Sequence, residues 1–147
     1  MMLTPVRRRT RRAAFTLLEV LVVVAILVIL AGVATVATTR YLEDAKKSRA
    51  QLGCQGISQA IEAYMLSPGN PTGEGPTSLN QLYQPTWGGT SFLRNGEQDT
   101  MDPWNQQYKI EPQTKSDGSP YYLVSTTASD KTPISQFGIG DKATPRF

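Results

Sequence analysis

A single carboxylate, Glu19, stands inside an otherwise almost unbroken apolar run, Phe15–Ala37 (FTLLEVLVVVAILVILAGVATVA), directly behind an arginine cluster. Taken as a helix, the 23-residue run spans roughly 35 Å, enough to cross a bilayer core. A glutamate at the centre of such a span costs about 2.5–3.5 kcal/mol, and less near an end. The chemistry open to Glu19 is charge pairing, because an ammonium that meets it in low dielectric offsets much of that cost. Other chemistries are closed. The chain has no histidine and one cysteine, Cys54, which excludes Ser-His-Asp and Cys-His catalysis, His-ligated zinc and an intramolecular disulfide. No nucleotide-binding motif is present.

The formal net charge of +3 is local in origin. Arg7, Arg8, Arg9, Arg11 and Arg12 lie in Met1–Ala14 with no acid among them, and the remainder carries two more acids than bases. The basic segment points to membrane orientation or targeting, and the rest has no charge bias toward nucleic acid. Arg40, Lys46, Lys47 and Arg49 follow the run, so the positive-inside bias is modest and favours the N-terminus inside. Three arrangements give a basic segment followed by an apolar one. The first is a secretory signal peptide cut after Ala34 or Ala37, the second an uncleaved anchor, and the third a leader cut before the run. A twin-arginine signal fits less well, since the spacing from Arg11-Arg12 to Phe15 is off by one.

The elements that must position these residues begin with one long helix. No proline interrupts Thr38–Leu66, and Ala50, Cys54, Ile57, Ile61 and Tyr64 recur at steps of four and three, one face of a helix. A continuous helix from Phe15 to Leu66 is expected, roughly 78 Å long, apolar all round in its first half and amphipathic in its second. Gly53 and Gly56 weaken it by about 1 kcal/mol each. Cys54 belongs to the apolar stripe, and Glu43, Asp44, Lys46, Lys47 and Arg49 are expected on a solvated face, with ion pairs between subunits as a second reading. Ser67-Pro68-Gly69-Asn70-Pro71 ends the helix. Thr77 or Ser78 is expected to cap a short helix, Leu79–Tyr83, and 84–101 to be loop. Strands are expected at Gln107–Ile110, Tyr121–Ser125 and Ile134–Phe137, the first two joined by a turn at Lys115-Ser116-Asp117-Gly118. Together these form a small antiparallel sheet packed on the Ala50–Tyr64 stripe. Pro103 fixes the approach to the first strand, Trp104 packs and Asp102 caps a turn. Trp87 is a loop aromatic open to subunit or partner contact.

Ala14-Phe15-Thr16-Leu17-Leu18-Glu19-Val20 after an arginine-rich leader resembles the cleavage signature of type IV pilins and type II secretion pseudopilins. Asp102-Pro103-Trp104 with Tyr108, and Leu79–Pro85 before it, resemble segments of the major, G-type pseudopilin. The resemblance implies an α+β fold, a long N-terminal helix on a small antiparallel sheet. It divides the chain into a cleaved leader (1–14), a membrane and filament-core helix half (15–37) and a periplasmic domain (38–147). It implies cleavage between Ala14 and Phe15 by prepilin peptidase, N-methylation of Phe15, and assembly through the Phe15 amine and Glu19 on the same or a neighbouring chain. Ala14 stands where relatives usually have glycine, and no proline lies near Val36 as it does in many of them.

The implied protein is a structural subunit and not an enzyme, single-pass in the inner membrane with its N-terminus cytoplasmic. Its partners are copies of itself in a helical homopolymer, minor pseudopilins, an inner-membrane platform and a secretion ATPase, with no nucleic acid. Relatives often bind calcium in a C-terminal loop, for which Ser125, Asp130 and Asp141 are the candidates here; calcium takes six to eight oxygens, and the relatives' adjacent acidic pair is missing. The alternatives are a type IV pilin, although its frequent C-terminal disulfide pair is absent, and an anchored binding domain that does not assemble.

Overall fold

Thr16 starts the long helix. In the computed structural model, which describes residues 15–145, helix α1 runs Leu17–Met65, and the expected leader lies outside the described residues. The chain divides into two compact units, the first ending at Arg40 and the second being Tyr41–Phe147. In the first, every residue from Phe15 to Val33 is exposed. The sequence there is apolar on all sides, so it has no polar face to turn to water and no apolar face hidden within the chain. The helix containing it is long and apolar enough to cross a membrane.

In the second unit, Ala50, Cys54, Ile57, Ile61 and Tyr64 of α1 are all buried, as their spacing predicts. Cys54, Ile57, Ala60, Ile61 and Tyr64 form the main core with Leu79, Leu82, Leu93, Tyr108 and Val124. Each large aliphatic side chain fully buried there contributes about 1.5–3 kcal/mol. A second cluster joins Ala50 to Ala128 and Ile134, with Trp104 and Ile139 packed beside it.

The short helix α2 is Asn80–Tyr83, and its N-cap is Leu79, with no side-chain cap bond. Neither Thr77 nor Ser78 caps it; the Gln81 side chain instead accepts from the Thr77 amide at 2.8 Å. The segment expected as loop contains a 3-10 helix, Gly96–Thr100, whose short polar residues carry no periodic signal. Strands β1 (Lys109–Thr114), β2 (Pro120–Thr127) and β3 (Pro133–Ser135) form an antiparallel sheet in the order β1-β2-β3. The fold is therefore α+β and pilin-like, as expected. β1 starts and ends later than the expected Gln107–Ile110, pairing Lys109 with Ser125 through Thr114 with Pro120. It tolerates Pro112 because an edge strand has one side without a ladder. Gly118 closes the β1–β2 turn at φ 84°, with Asp117 Oδ1 accepting from the Ser119 amide at 2.8 Å.

Candidate functional site

The first candidate residues are Phe15 and Glu19, and Thr16 between them bonds to Glu19. The Thr16 hydroxyl accepts from the Glu19 amide at 3.2 Å. Glu19 Oε2 in return accepts from the Thr16 amide at 3.3 Å and its hydroxyl at 3.4 Å. This is a reciprocal capping box, which satisfies donors that a helix start leaves open. Its signal, Thr-x-x-Glu before an apolar run, is in the sequence, and reasoning from the membrane cost of Glu19 alone passes over it. The carboxylate also lies in the first turn of α1, where the helix dipole favours negative charge.

Phe15, Leu17 and Leu18 around it are exposed. In the uncut chain the Phe15 nitrogen is an amide; only hydrolysis of the Ala14–Phe15 bond turns it into a basic amine four residues before Glu19. Ala14, the other residue of the expected cut, lies outside the described residues.

A second group lies where α1 meets the β2–β3 loop. The four-and-three spacing of the core stripe extends backward from Ala50 to Lys47 and then Glu43. These two residues therefore face the domain rather than a solvated side, and the expectation for them is corrected. Glu43 Oε1 accepts from Trp104 Nε1 at 3.0 Å and from the Ser129 hydroxyl. Lys47 Nζ lies 2.5 Å from Asp130 Oδ2. Hydrogen bonds from Ser129 and then Trp104 hold the Glu43 carboxyl below its ordinary range. The bond from Lys47, followed by those from Thr132, does the same to Asp130. Carrying the stripe one heptad further back would have found both residues.

Asp102 is the organising residue of the 102–106 turn. It is buried; its Oδ1 accepts from the amides of Trp104 at 2.9 Å and Gln106 at 2.8 Å, and its Oδ2 from the Thr126 hydroxyl at 2.5 Å. The turn-capping role expected of it is observed, together with a bond to β2 that spacing does not announce. Trp87, expected as a loop aromatic, packs on Tyr64 with ring centroids 4.7 Å apart and the planes tilted by 43°, and remains 36% exposed.

The calcium candidates are dispersed in role. Asp130 is engaged by Lys47, and its other oxygen accepts from the Thr132 amide at 3.1 Å. Ser125 pairs with Lys109 and Ser135 in the sheet. Asp141 sits in a 3-10 turn, Gly140–Lys142, exposed. Among the described residues no three of His, Cys, Asp or Glu are grouped to hold a metal. The donor set as placed does not fit a hard cation needing six or more oxygens.

Residues 9–35 match the family described as the prokaryotic N-terminal methylation motif. That motif marks the precursors of pilins and pseudopilins, and with the apolar start of α1 it supports a type IV pilin-like, structural, single-pass membrane-anchored subunit processed by prepilin peptidase. The match covers the N-terminal segment and leaves the globular unit unassigned. No curated protein and no solved structure matches the chain.

Proposed function

We propose that this chain is the major pseudopilin of a type II secretion system. It is made as a precursor, held in the inner membrane with its globular unit periplasmic, cut and methylated at Phe15, and polymerised into a short fibre that helps export folded proteins. The observation that carries the assembly step is a helix start, Phe15–Val33, that is apolar and exposed on every side yet opens with a capped carboxylate. In the membrane and in a filament core this surface is equally apolar, so little hydrophobic free energy separates the two states. A charge pair between the freed Phe15 amine and Glu19 of the same or a neighbouring chain then tips the balance and sets the register. Asp102-Pro103-Trp104 with Tyr108 supports the secretion role over a type IV pilin. The proposed partners are further copies of the chain, minor pseudopilins, the platform protein and the secretion ATPase.

Three measurements test this. Mass spectrometry of the mature protein should give a methylated Phe15; an intact Met1, or a start after Ala34 or Ala37, overturns the filament reading. Glu19→Gln should insert in the membrane normally and lose most filament yield, and wild-type yield from that variant would reject the pairing. Deleting the gene should leave exoproteins in the periplasm; loss of surface pili with secretion intact would make the chain a type IV pilin.

A further inference from the structure

We infer that the Lys47 ammonium is the resident cation of the β2–β3 loop, fastening it to α1 without a metal ion. The inference concerns the globular unit alone and stands whichever filament the chain builds. Ala128 anchors the loop in the second core cluster. The loop then turns tightly, with the Lys131 amide donating to the Ala128 carbonyl at 2.9 Å and the Ala128 amide to the Thr132 carbonyl at 2.9 Å. Lys131 takes φ 66°, a left-handed conformation uncommon for a residue that is not glycine. This turn sets Ser129 and Asp130 against Glu43 and Lys47, which lie one helical turn apart on the same face of α1.

Every carboxylate oxygen with a bond at this junction meets a donor. Asp130 Oδ2 faces the ammonium and Oδ1 the Thr132 amide. Glu43 Oε1 takes the Ser129 hydroxyl and the Trp104 indole, and Oε2 lies 3.7 Å from Lys46 Nζ. A divalent cation needs oxygens pointing inward, and here N–H and O–H groups point at those oxygens instead. The Lys47 side chain is 17% exposed against 49% for Asp130, so the lysine stem is the more covered member of the pair.

The test uses the full chain in detergent micelles, with Trp87→Phe so that emission reports on Trp104, which donates to Glu43 at this junction. The unfolding midpoint of the unaltered Lys47 protein should be the same in EGTA and in millimolar calcium. A calcium site filled a hundredfold above its Kd would raise it by more than about 10 °C, and such a rise overturns the inference. Lys47→Met should lower the midpoint by about 4–8 °C in both buffers and shift Trp104 emission to the red. In an Asp130→Asn background the same replacement should do much less. An unchanged midpoint for Lys47→Met, or equal losses in both backgrounds, also overturns it. The calcium comparison on the protein with Lys47 intact decides the matter even where a variant fails to fold.

Discussion

Replacing Gly53 by alanine should destabilise the globular unit, against the rule for glycine inside a helix. Intrinsic propensity favours alanine there by about 1 kcal/mol. A Cβ at Gly53, however, would lie 2.1 Å from the Tyr108 hydroxyl oxygen and 2.7 Å from its Cζ. The phenol is held where it is: Tyr108 is 5% exposed, belongs to the main core and donates to the Ala50 carbonyl at 3.3 Å. Overpacking of this kind costs about 1–3 kcal/mol, and a ring that tilts away leaves its buried hydroxyl without a partner, about 1 kcal/mol more. The net expectation for Gly53→Ala is a loss of about 1–3 kcal/mol. Gly56 is the control, since a Cβ there meets nothing within 4 Å, and Gly56→Ala should gain up to about 1 kcal/mol. The assay is urea unfolding of the full chain in micelles, read as a change in midpoint at constant slope. Adding Tyr108→Phe to Gly53→Ala removes the atom at 2.1 Å and should recover part of the loss. Gly53→Ala as stable as Gly56→Ala would refute the close-approach argument.

Asp102→Ala strands two turn amides and the Thr126 hydroxyl and should cost about 3 kcal/mol. Asp102→Asn, which retains Oδ1, should cost clearly less, and equal losses from the two variants would remove Asp102 as the organiser of the turn. Stability should also fall at alkaline pH. Desolvation, with Asp102 nearby, pushes the Cys54 thiol up to about 12, and burial raises the Tyr108 phenol as well. The unfolded chain therefore ionises first. The contribution of Cys54 is complete below about pH 9 and is lost as pH rises toward its folded value, at up to about 1.4 kcal/mol per pH unit. Cys54→Ala should flatten that decline, and an unaltered pH profile in the variant would contradict it. The same burial should keep Cys54 unreactive to iodoacetamide at pH 8 until the protein unfolds.

The long helix was legible because its signals are periodic and local. An apolar run needs no partner to be recognised, and the 50–64 stripe gives one buried face by geometry alone. The strands were placed but their ends were not. β1 runs on through Pro112 to Thr114 because β2 offers partners that far, and ladder length depends on the neighbouring strand. The capping box and the continuation of the stripe to Lys47 and Glu43 are present as patterns, but polarity alone assigns such residues to solvent.

By itself the sequence determined that one end of this chain is a membrane-length apolar helix bearing a carboxylate at its start, with a processing motif at the boundary. Those properties follow from residue type and spacing over a few turns. Only the tertiary structure decided that Lys47 answers Asp130, that Glu43 receives Trp104 and Ser129, and that Gly53 makes room for Tyr108. Each of these joins residues more than fifty positions apart. Such contacts exist only after the sheet has packed on the helix, because burial, rather than local preference, selects which side chains meet.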